Sequence, residues 1–235
     1  MEVTTENVKI SAPSGSMSAF VARPTAPGKH PAVVVVMEAF GLNNHIKDVA
    51  KRLAAEGYVA LAPDMYYREK DNVVGYDQLP EAIRLMMSLK DDSIIKDMDA
   101  AIRYLQTHPA VRSDRIGATG FCMGGRITFL TACHNSAVKA AAPFYGGGIG
   151  GILGDAGKIG CPMLLFYGDR DAFIPNEEVE KVKSTLAQLG KRAEVKVYGG
   201  APHGFFCNER DSYRPADAKD AWGRLLSFFT QHLKS

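Results

Sequence analysis

The chain has 235 residues, 46% of them hydrophobic and 23% charged, the proportions of an ordinary soluble globular protein. Its 28 basic and 26 acidic residues leave a net charge of +2. That excludes the strong single-sign field that nucleic acid or a membrane surface attracts. The longest apolar run, Ala32 to Met37, is about a third of the roughly 20 residues a spanning helix needs.

The start, MEVTTENVKISAPSG, is polar and has no cationic patch followed by an apolar stretch, so no secretory leader is expected. Cys122, Cys133, Cys161 and Cys207 stand far apart, with no CxxC pair and no His at zinc spacing. This argues against a disulfide scaffold or structural zinc and for a reduced, cytoplasmic setting.

In chain order, Asn7 to Arg23 alternates around Pro13-Ser14-Gly15 and predicts two antiparallel edge strands. The β-branched run after Pro31, AVVVVM, predicts a strand buried on both faces, as a central parallel strand is. Ile46, Val49, Ala50, Leu53 and Ala54 recur at helical spacing, Gly57 stops the pattern, and YVALAP follows as a strand. The three segments make a βαβ unit.

Helices are expected over 76–90 and 93–107, a strand at RIGATGF (115–121), and a helix from Arg126 to Cys133. VKAAAPFYG (138–146), PMLLFYG (162–168) and AEVKVY (193–198) are further strands, Glu177 to Leu189 is helical, and Ala216 to Leu233 is a closing amphipathic helix. The glycine-dense stretch from Gly146 to Gly151 reads as a loop. Alternating β and α elements predict a single α/β domain over 1–235, a mostly parallel doubly wound sheet with helices on both faces.

The chemistry concentrates at strand ends. Gly120-Phe121-Cys122-Met123-Gly124-Gly125 lies where a strand hands over to a helix. That is the pattern of a nucleophile elbow, with small residues two positions either side of the nucleophile. A helix N-terminus aimed at Cys122 would stabilise a thiolate or an oxyanion. Gly168-Asp169-Arg170-Asp171 follows one later strand and offers an acid; Pro202-His203-Gly204-Phe205 follows the last and offers a base. Nucleophile, acid and base in the order Cys122, Asp171, His203 follow the chain order of α/β-hydrolases. Asp169 competes with Asp171 on these grounds alone.

GFCMGG, together with Glu38-Ala39-Phe40-Gly41, GDRDAFIP and PHGF, resembles the dienelactone hydrolase (carboxymethylenebutenolidase-like) family of α/β-hydrolases. APDMYYR at 62–68 and the AAIRYL segment extend the likeness over nearly the whole chain. The resemblance implies that a lactone or ester is opened through an acyl-cysteine. It makes Cys122 the nucleophile, His203 the base and Asp171 its orienter, places Glu38 beside the nucleophile, and makes the backbone N–H groups of Ala39 and Met123 the oxyanion hole.

Glu38 is then expected to hold Cys122 protonated at rest and to accept its proton when substrate arrives. The resemblance departs at the family's two carboxylate-binding arginines, whose positions hold Leu79 and Cys207. Arg68, Arg84 and Arg210 are nearby in sequence. Phe40, Tyr145, Phe205 and Phe206 suggest an aromatic substrate pocket suited to neutral esters.

Two other readings fit the same residues: thioester hydrolysis or acyl transfer, and a non-catalytic hydrolase-fold protein that binds a ligand or senses oxidants through Cys122. His30, His45, His108, His134, His203 and His232 are scattered, so no metal is expected. No Gly-x-Gly-x-x-Gly opens a helix, so no nucleotide cofactor is expected either. The expected partner is a small-molecule ester or lactone, without nucleic acid or membrane, on a monomer or small homo-oligomer.

Overall fold

A computed structural model describes residues 1–235. Eight strands form one mostly parallel sheet in the order β1-β2-β4-β3-β5-β6-β7-β8. The chain packs as two compact units, Met1–Gly117 and Ala118–Ser235; β5 (Val111–Phe121) begins in the first and ends in the second.

In the first unit, β1 (Val3–Ala12) and β2 (Gly15–Pro24) form an antiparallel hairpin with Val3 opposite Pro24 and Ala12 opposite Gly15. Of the two, only β1 is an edge strand. β2 also pairs antiparallel with β4 (Val59–Pro63), Ala19 opposite Pro63, which is why Ala19 to Ala22 are buried.

β3 (His30–Val36) is fully covered from Ala32 to Val36 and runs parallel to β4. Between them, α1 (Asn44–Ala55) buries Ile46, Val49, Ala50, Leu53 and Ala54. The Asn43 side chain caps it by accepting from Ile46 N at 3.2 Å, which satisfies one of the amides that the first turn leaves without a helical partner.

α2 (Leu79–Ser88) is shorter than the 76–90 expectation and begins beside Pro80, a residue suited to a first turn. α3 (Asp91–Thr107) opens with Asp91 and Asp92 at its positive end. Asp97, within α3, is a fully buried carboxylate. It accepts from Arg68 Nη1 and Nη2 at 2.7 and 3.0 Å and from the Tyr67 hydroxyl at 3.0 Å, so its charge is paired where water cannot reach it.

In the second unit, α4 (Met123–His134) follows β5 and starts three residues earlier than its hydrophobic spacing suggests, because the glycines of its first turn are invisible to that spacing. β6 (Val138–Phe144), β7 (Met163–Gly168) and β8 (Ala193–Tyr198) lie side by side in parallel. The glycine-dense loop ends in a short 3-10 turn, Ile149–Gly151, and a second, Leu153–Lys158, follows it.

α5 (Asn176–Gln188) and α6 (Pro215–Phe229) complete the unit, α6 ending in a π-helical turn, Thr230–Lys234, instead of continuing to Leu233 as regular helix. Phe144 stacks on Phe166 at 4.2 Å and Phe121 on Phe206 at 5.2 Å between ring centroids. Each such ring contributes about 1.5–3 kcal/mol by leaving water, and together they form a stiff base under the ends of β5, β6 and β7. No helix of the chain is long and apolar enough to cross a membrane.

Candidate active site

Cys122 stands between the last residue of β5 and the first of α4, with φ 56° and ψ −119°. A non-glycine residue held there stores about 1–3 kcal/mol of backbone strain, and surrounding bonds keep it in place. Its N–H donates to Phe144 O at 3.1 Å, and its carbonyl accepts from Gly125 N and Arg126 N at 2.9 and 3.3 Å.

The neighbouring glycines are required by contact. A Cβ on Gly120 would collide with the Gly124 carbonyl and meet Thr128 Oγ1 at 2.7 Å; one on Gly125 would collide with the carbonyl of Phe144 and meet Gly146 at 2.9 Å. The elbow therefore rests on backbone segments in near contact. It leaves the Cys122 side chain part-exposed at the positive end of α4.

Asp171 follows β7 on a tight loop. Its side chain is fully buried and both oxygens are used. Oδ1 accepts from Phe173 N at 2.8 Å and Ile174 N at 3.2 Å; Oδ2 lies 2.7 Å from His203 Nδ1. Asp169 is engaged elsewhere: it accepts from Gly200 N at 2.5 Å and ties the end of β7 to the turn after β8. The geometry thus separates two acids that sequence spacing leaves equivalent.

His203, on the loop after β8, has a side chain only 9% exposed. Burial alone would push its imidazole down, but hydrogen bonds and charge from Asp171 and Cys122 outweigh it and raise the group to about 10. With Nδ1 facing Asp171, Nε2 is the nitrogen left for Cys122. The imidazole meets the carboxylate directly and Cys122 is close enough to raise it, all three held after strands of one unit.

Aromatic rings enclose the imidazole. Tyr145 meets it edge-on at 5.0 Å and is itself held at φ 36°; Phe205 packs on Tyr145 at 5.5 Å. Tyr145, Phe205 and Phe206 are buried; Tyr145 walls the imidazole, while Phe205 and Phe206 pack on other rings of the core. Phe173, to which sequence reading gave no role, meets the imidazole edge-on at 5.2 Å and is 59% exposed; its signal was an aromatic two residues after the acid.

In the first unit, Glu38 and Ala39 follow β3 and are buried. Glu38 Oε2 accepts from the Tyr76 hydroxyl at 3.2 Å, and Phe40 packs against the Tyr76 ring at 4.7 Å. Tyr76 lies in a stretch without a recognisable motif. Leu79 is 40% exposed on α2, while Cys207 is fully buried in the second unit. Arg68 is committed to Asp97, and Arg84 to Glu81 and Glu69.

The dienelactone hydrolase family pattern matches residues 17–233. The chain belongs to the dienelactone hydrolase family. A Synechocystis protein named "Putative carboxymethylenebutenolidase" is 36% identical, covering 100% of this chain and 99% of its own. A Salmonella typhimurium protein of the same name is 38% identical over 92% of this chain and 83% of its own.

Among solved structures, a "Putative Dienelactone Hydrolase" from Klebsiella pneumoniae superposes with a TM-score of 0.93 at 36% identity, covering 99% of this chain and 100% of that one. The family is one of hydrolases acting on small molecules, and this chain has its α/β-hydrolase fold.

Proposed function

We propose that this protein hydrolyses lactone or ester bonds through an acyl-cysteine formed on Cys122. The observation supporting this most directly is the His203 imidazole, 2.7 Å from the buried Asp171 carboxylate on one side and close enough to Cys122 on the other to be raised by it. In this reading His203 holds the thiol proton, and the sulfur attacks the carbonyl carbon, whose π electrons move to oxygen. Asp171 fixes the tautomer and stabilises the imidazolium.

Collapse of the tetrahedral intermediate expels the alkoxide, which takes the imidazolium proton and leaves an acyl-cysteine. His203 then deprotonates a water that attacks the acyl carbon; the carboxylic acid departs and the proton returns to sulfur. Family likeness assigns oxyanion donation to the N–H groups of Met123 and Ala39, a contribution of roughly 2.7–4 kcal/mol per donor. In the same proposal Glu38 accepts the thiol proton first, as substrate arrives, and the proton then passes to His203, which carries it to the alkoxide. Tyr145 serves as an apolar wall that keeps water from the imidazole.

The substrates are proposed to be neutral esters. Leu79 and Cys207 occupy the family's arginine positions, and Arg68 and Arg84 are paired with acids of their own, so the family's two-armed fork for a carboxylate is not rebuilt from these residues.

Burst kinetics with p-nitrophenyl acetate test the mechanism. A burst equal to the enzyme concentration, one acetyl group on Cys122 by mass spectrometry, and neither in Cys122→Ala are expected. Turnover surviving in Cys122→Ala would overturn it. A panel comparing neutral esters with anionic lactones tests the substrate class, and a higher kcat/KM on the anionic lactones would refute it.

A further inference from the structure

The segment from Asn72 to Tyr76 crosses the loop that carries Glu38 and is bound to it repeatedly. Val74 N donates to Phe40 O at 3.1 Å. The Asn72 carbonyl sits so close to Gly41, itself at φ +88°, that no Cβ fits between them. The segment is anchored from below by Asp64, a buried carboxylate after β4 that accepts from Asn72 Nδ2 at 2.6 Å and from Tyr66 N at 3.0 Å. At its far end the Tyr76 hydroxyl accepts from Asn43 Nδ2 at 2.9 Å and donates to Glu38 Oε2 at 3.2 Å.

A tyrosine hydroxyl has one hydrogen to give. With Asn43 supplying a donor to its oxygen, that hydrogen is directed onto the carboxylate, and the chain Asn43–Tyr76–Glu38 polarises in one sense. A carboxylate on a short loop can rotate freely about its side-chain bonds; one oxygen pinned from a different segment cannot. We infer that Tyr76 is a positioning residue for Glu38, fixing the rotation of the carboxylate and so the oxygen it presents to a proton. The inference rests on the proton-accepting reading of Glu38 given above.

Tyr76→Phe removes the hydroxyl and keeps the ring against Phe40. It should lower kcat on p-nitrophenyl acetate about tenfold, the loss expected for one hydrogen bond to a charged group, with KM unchanged within about twofold and the thermal midpoint within about 3 °C. Asn43→Ser, which keeps a helix-capping oxygen but removes the donor to Tyr76, should lower kcat by a smaller factor in the same direction. In a Glu38→Gln background, Tyr76→Phe should cost less than about twofold.

If Glu38→Gln lowers kcat but Tyr76→Phe has wild-type kinetics, or if its loss is equally large in the Glu38→Gln background, the inference is overturned and the Glu38 reading stands. If Glu38→Gln is itself fully active, both fall.

Discussion

Replacing Asp171 by Asn changes the imidazole without emptying its surroundings. Asn keeps an oxygen to accept from Phe173 N and Ile174 N, so the loop after β7 retains its bonds. What changes is the atom 2.7 Å from His203 Nδ1: an acceptor oxygen becomes an NH2 donor. Nδ1 must then accept, which moves the ring proton to Nε2 and points an N–H at the sulfur where a base is needed.

The loss is large because the pair is buried, with the carboxylate fully covered and the imidazole 9% exposed. Breaking a buried charge pair costs about 3–5 kcal/mol, equivalent to a drop of roughly 10²–10⁴ in kcat. Steady-state hydrolysis of p-nitrophenyl acetate reads that drop. Alkylation of the native enzyme by iodoacetamide at about pH 7 reads the sulfur directly and should slow at least about tenfold.

That second measurement is clean because the other thiols are out of reach. Cys207 is fully buried, and burial pushes Cys133 and Cys161 up to about 12 and about 11. Asp171→Asn hydrolysing within tenfold of wild type, with an unchanged alkylation rate, would refute the assignment of the acid.

Gly120→Ala drives a methyl group into the Gly124 carbonyl and Thr128; it should destabilise by about 2–3 kcal/mol and lower the thermal midpoint by about 5–10 °C. Cys122→Gly and Cys122→Ala should both be inactive. The glycine form should be more stable than the alanine form by about 1 kcal/mol in urea titrations, because glycine relieves the strain at φ 56°.

His203 is raised in the folded state from 6.5 to about 10, so its stabilising linkage is fully present below about pH 6.5. That contribution declines as pH rises and is gone above about 10. Wild type should therefore lose its stability advantage over His203→Gln between those limits, as urea titrations at pH 6, 8 and 10 would show.

Much of the architecture is legible in the chain because burial on two faces leaves a plain record. Runs such as AVVVVM and PMLLFY have no polar side to hide, and they form most of β3 and β7. The hairpin is harder: alternation along Met17 to Arg23 looks like an edge strand, yet β2 is flanked by β1 and β4, since small residues such as Ala19 and Ala22 read as weakly polar while packing as core.

The placement of Cys122, Asp171 and His203 is legible because each follows a strand, where chain order is informative. Tyr76 and Asp64 cannot. Their partners, Glu38 and Asn72, are fixed by the path of an irregular segment, and irregular segments have no period to read. Phe173 falls between: its position is local, but its value comes from an imidazole far downstream in the chain.

Asp171 binds two things at once, an imidazole through one oxygen and a pair of loop amides through the other. Electron density withdrawn toward the imidazole is density withdrawn from those amides. The N–H resonances of Phe173 and Ile174 should therefore act as a built-in gauge of the ring's charge, readable by NMR through each half of the catalytic cycle without a label on either reacting group.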